Sequence, residues 1–144
     1  MLVVMAIIGL IAAISGPSVA AGIDSVRMAS ATSSVSTFLN SAVTRAERRQ
    51  QPVELVISPK QRRLSLYSNE PGFERQLDLP DGIELEAVLP PTNDDPEAAR
   101  SVIVIPGDPA PAIGVQLANG HGTRRIVRLD PMTGFPRVES VDNQ

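Results

Sequence analysis

Hydrophobic and polar positions divide the chain into three stretches. The first, MLVVMAIIGLIAAISGPSVAAGI, holds no charged side chain, and Ser15 and Ser18 are its only hydroxyls. As a helix rising about 1.5 Å per residue it reaches roughly 30–35 Å, about the thickness of one hydrocarbon core. In the second, Val26, Val35, Phe38, Leu39, Ala42, Val43 and Ala46 recur at spacings of three and four. That spacing predicts an amphipathic helix with Ser, Thr, Asn and Arg on its other face. Arg45, Arg48 and Arg49 gather at its far end, where cations suit the helix dipole, and Pro52 ends it. Residues 1–23 and 24–50 therefore read as two halves of one long helix, apolar all round and then amphipathic. Pro17 removes a backbone hydrogen bond and predicts a kink.

After Pro52 the period becomes that of strands. Expected strands are Val53–Ile57, Arg63–Tyr67, Phe73–Leu79, Ile83–Leu89, Val102–Ile105, Ile113–Ala118, Arg124–Leu129 and Phe135–Val138. The SPKQR segment predicts a hairpin loop between the first two. Pro80-Asp81-Gly82 predicts a turn pairing the third with the fourth. The segment PPTNDDPEAAR has no period and reads as an exposed acidic loop. Residues 51–144 thus form an antiparallel β domain, most simply two small sheets, and the fold class is α+β.

Composition narrows the chemistry. The absence of cysteine excludes disulfides, zinc–thiolate sites and thiol catalysis. Aromatics make up only 3% of the chain, so the core must come from Val, Ile, Leu and Ala. A net charge of -3 gives no global attraction to nucleic acid. No catalytic, cofactor-binding or metal-binding set emerges, and an enzyme is not expected. His121, the only histidine, lies in an Asn-Gly-His-Gly turn without identifiable partners, and Asp94, Asp95 and Glu97 read as a solvated loop. Gly107, Gly114, Gly120 and Gly122 precede no helix and so form no phosphate loop. Arg124, Arg125 and Arg128, with Arg137 nearby, form a basic C-terminal cluster. On a strand Arg124 and Arg128 share one face, and such arginines could contact DNA phosphates. No aromatic is interleaved with them for base stacking, and Asp130 and Glu139 offer pairing partners.

Three readings compete for the first stretch. A cleaved signal peptide would use Leu2–Ile14 as its apolar core and Ser18-Val19-Ala20 as its cleavage site, but has no basic lead-in. A soluble core helix would have little to bury against at a chain terminus. A membrane span fits the length best.

The order of elements resembles that of type IV pilins and pseudopilins. Met1-Leu2-Val3-Val4-Met5-Ala6-Ile7-Ile8-Gly9-Leu10-Ile11-Ala12-Ala13 looks like the pilin helix just downstream of the motif Gly-Phe-Thr-Leu-Ile-Glu, and Pro17 falls at the kink proline. Thr44-Arg45-Ala46-Glu47, Pro52-Val53-Glu54-Leu55 and Gln76-Leu77-Asp78-Leu79-Pro80-Asp81-Gly82-Ile83 are similar to the GspH/FimT group of minor pilins. Pro106-Gly107 and Asp130-Pro131-Met132-Thr133-Gly134 would supply that group's C-terminal turns.

The resemblance implies a structural subunit of a type II secretion or type IV pilus assembly. It implies a single-pass anchor in the inner membrane, a β domain on the periplasmic side, and other pilin subunits as partners. Gly9 and Gly16 would serve helix packing, and no small-molecule substrate is implied. DNA capture through Arg124, Arg125 and Arg128 is the alternative that some pilins of this group raise. The family's prepilin peptidase motif, its glutamate and the methylated N-terminus are missing from the sequence, so that either they are encoded ahead of Met1, the preferred reading because the rest of the helix is intact, or the chain is a degenerate homologue. A form beginning at Met1 is expected to stay in the membrane without incorporation.

Overall fold

The computed structural model describes residues 1–92 and 95–141, leaving aside the side chains of 15–18. Among these residues a single helix, α1 (Leu2–Arg49), is followed by eight strands. These are β1 (Val53–Ser58), β2 (Arg63–Ser68), β3 (Glu74–Asp78), β4 (Ile83–Leu89), β5 (Arg100–Val104), β6 (Gly114–Asn119), β7 (Arg124–Leu129) and β8 (Pro136–Val141). They form two four-stranded antiparallel sheets, ordered β3-β2-β1-β5 and β4-β6-β7-β8. The α+β layout and the two small sheets match the expectation.

The 48 residues of α1 correspond to a rod about 72 Å long at about 1.5 Å per residue. Only its second half meets the body. Met28, Ala31, Val35, Leu39, Ala42 and Ala46 are each at most 1% exposed, and their spacing traces one stripe. Both sheets pack on that stripe. Val53, Leu55, Ile57, Leu64 and Leu66 come from the first sheet, and Ile83, Leu85, Val115, Leu117, Val127 and Leu129 from the second. Three alanines in the stripe let the strands approach the helix axis closely, which suits a core nearly free of aromatics. The buried Thr32 is satisfied by donating its hydroxyl to the Met28 carbonyl at 2.7 Å. Val26, expected on this stripe, is 69% exposed, because it lies two residues before Met28 and so points to the opposite side.

The helix ends where the sequence breaks it. Gln50 adopts a left-handed conformation (φ 51°) and its N–H returns to the Ala46 carbonyl, one residue short of the Gln51-Pro52 step. Arg45 fixes this end by ion-pairing with Glu70 and stacking on the Phe73 ring.

The pairing expected between the third and fourth strands does not form. β3 pairs with β2, β4 pairs with β6, and Pro80-Asp81-Gly82 carries the chain from one sheet to the other. Gly82, at φ 85°, supplies the turn, but that geometry does not decide which strand the next one joins. β4 also carries a bulge between Leu85 and Ala87. It shifts the alternation so that Val88 is buried and Leu89 only partly so.

Candidate assembly and binding surfaces

The most prominent surface is the N-terminal half of α1. Its most apolar 18-residue window has a mean hydropathy of 2.3 and is 0% buried. Leu2, Val3, Val4, Met5, Ile7, Ile8, Leu10, Ile11, Ile14, Val19 and Ile23 are between 47% and 87% exposed. A contiguous apolar surface of this extent is unfavourable in water. In length and composition the helix can cross a membrane. A Cβ placed at Gly9 would meet nothing within 4 Å, so none of the described residues packs there. Gly16 and Pro17 lie outside the described side chains, and with them the packing and kink assigned to these two.

The four C-terminal arginines separate on the second sheet. In β7, Arg125 lies on the same side as the buried Val127 and Leu129, while Arg124 and Arg128 point to the outer side. Arg137 is the cross-strand partner of Arg128, and its guanidinium reaches Asp130 at 2.7 Å. Arg124 donates to Glu86 twice, from Nε to Oε2 at 2.8 Å and from Nη2 to Oε1 at 3.0 Å. The bulge in β4 makes this bridge: it aims Glu86 across β6, where Oε2 also accepts from Gln116 Nε2 at 2.7 Å. The structure thus brings Arg128 and Arg137 together, places Arg125 on the opposite face, and ties Arg124 to an acid.

The hydrogen bonds from Arg124, and secondarily from Gln116, hold the Glu86 carboxyl below the usual carboxylate range against the opposing effect of partial burial. A carboxylate with a lowered folded-state pKa stabilises fully above its unfolded value, about 4.3, and loses that contribution as pH falls through the folded value. Glu86 is about one-third exposed, so the effect is modest. The urea midpoint is expected to drop between pH 5 and pH 3 more steeply for the native chain than for Glu86→Gln; equal slopes would show that the bridge contributes nothing.

His121 sits in the β6–β7 turn, as expected. The Asn119 side chain accepts the backbone N–H groups of His121 (3.1 Å) and Thr123 (2.9 Å). The His121 ring also has a partner that the sequence did not reveal: its Nε2 lies 2.5 Å from Oδ2 of Asp24 on α1. In the acidic loop, Asp94 lies outside the described residues. Asp95 and Glu97 stand 3.8 and 3.9 Å from Lys60 Nζ. Among the described residues no group of three or more His, Cys, Asp or Glu side chains is placed to hold a metal. The recess between β4 and the 91–100 loop, about 160 Å³, is lined by Asp95 and Arg100 among small and proline residues. Arg100 there donates to the carbonyls of Val88 and Pro90. No protein-family model, curated protein or solved structure matches the chain.

Proposed function

We propose that this chain is a structural minor pilin or pseudopilin subunit of the GspH/FimT kind, serving a type II secretion or type IV pilus assembly. It is held in the inner membrane by the first half of α1, with its β domain on the periplasmic side. One observation carries this reading: a single helix is apolar and exposed over its first half and is the spine of a two-sheet β body over its second. Such a rod can exchange lipid for neighbouring helices without rearranging the body. Ala6, Gly9, Ala12 and Ala13 allow the close helix contacts that membrane packing favours. DNA capture draws less support, because Arg125 faces away from Arg128 and Arg124 is held by Glu86.

The test is co-expression with a complete secretion or pilus machine, comparing the chain as it stands with one preceded by Gly-Phe-Thr-Leu-Ile-Glu and its basic leader. Both forms are expected in the membrane fraction, and only the extended form in sheared fibres. Absence of the extended form from fibres, with the other subunits assembled, would overturn the proposal.

A further inference from the structure

We infer that the end of the body from which α1 emerges rests on the phospholipid headgroups of the bilayer, with the Asn119–Thr123 and Pro80–Gly82 turns inside the headgroup layer. This builds on the reading of residues 2–23 as a membrane span. The apolar run ends at Ile23, Asp24 follows, and α1 continues unbroken to Arg49, so no linker separates span from body. A bilayer is about 40–45 Å thick against a hydrocarbon core of about 30 Å, leaving about 5–8 Å of headgroups on each side. Met28, where the buried stripe begins, lies only about 7.5 Å along the axis from Ile23, at the outer edge of that layer.

Two turns of the body touch helix side chains that precede Met28. The β6–β7 turn comes down to Asp24, which His121 contacts. The β3–β4 turn comes down to Arg27, whose Nη1 lies 4.0 Å from where a Cβ on Gly82 would sit. Through these side chains the two turns meet helix residues one and four positions beyond the apolar run. The opposite end of the body is marked by contacts to the last turns of the helix. Glu47 accepts the Gly107 N–H at 2.9 Å, and Gly134 lies against Val43.

At the membrane-facing end Arg62 is paired with Asp81 and Lys60 with Asp95 and Glu97, and the Asp24 carboxylate meets the His121 ring. The contact follows from the tether and the shape of the body. It is expected on zwitterionic phosphatidylcholine without anionic lipid.

Because the chain has no cysteine, single labels can be placed at will. Full-length Ile11→Cys, Asp81→Cys, Gly120→Cys and Met132→Cys, each carrying a fluorophore, would be reconstituted in phosphatidylcholine nanodiscs. Nitroxide quenchers would be placed on either the headgroup or the acyl chain. Acyl-chain quenching is expected at position 11. Headgroup quenching is expected to be several-fold stronger at 81 and 120 than at 132, which lies in the turn beside Gly134 and is 92% exposed. Quenching at 81 and 120 no stronger than at 132, with position 11 still deep, would overturn the docking and leave the anchor standing. Loss of acyl-chain quenching at position 11 would overturn both.

Discussion

Leu39→Ala is expected to destabilise the body by about 2–5 kcal/mol, the range for truncating a fully buried leucine that leaves a cavity. Leu39 is 0% exposed and sits midway along the stripe on which both sheets pack. The loss therefore falls on the junction between the sheets as well as on one face. Small neighbours sharpen the effect. Ala42, one turn on, has no long side chain that could move into the space. A thermal or urea transition of the full chain in mild detergent, followed through the β signal, reads the change. Thr37→Ala is the matched control: it lies on the same helix, two residues away and exposed, where a substitution is expected to stay within about 0.5 kcal/mol. Equal shifts for the two would mean that the helix is not the spine of the body.

What the sequence made legible follows from which interactions are local. The strand positions were readable because alternation, Pro-Gly breaks and the loss of helical period all act within a few residues. Ile83–Leu89 and Arg124–Leu129 even agree at both ends. Pairing is a different matter. Pro80-Asp81-Gly82 is equally good chemistry for a hairpin and for a crossover, and the choice depends on β6, which lies more than thirty residues further on. The stripe on α1 was misphased at its start because Val26 is apolar while Thr32 is not. Burial followed the helical angle instead, and Thr32 was accommodated by a bond to the helix's own backbone. The bridges Asp24–His121 and Arg124–Glu86 join residues far apart in the chain. The second also needs a bulge that no turn residue announces. The division of the arginines between two faces followed from strand period alone, whereas the acid that holds Arg124 did not.

Ile11→Arg is expected to remove the chain from the membrane fraction. Ile11 lies near the middle of the apolar run and is 58% exposed. At the centre of a spanning helix, replacing isoleucine by arginine changes the insertion free energy by about 3–4 kcal/mol, a factor of several hundred in partition. Val26→Arg is the informative companion. Val26 is comparably exposed, at 69%, on the same helix, but lies past Asp24 and opposite the buried stripe. A charge there meets water and headgroups, so carbonate-resistant membrane association should be unchanged. A soluble helix that merely protrudes would tolerate both substitutions alike, and that outcome would sink the spanning assignment. A transient signal sequence would also respond to Ile11→Arg, so the membrane-bound native chain must be weighed by mass spectrometry. Retention of the residues ahead of Ala21 is expected, and a mature start at Ala21 would replace the anchor with a cleaved leader. The contrast between positions 11 and 26 depends on the medium around one continuous helix, since in the isolated chain neither side chain is buried.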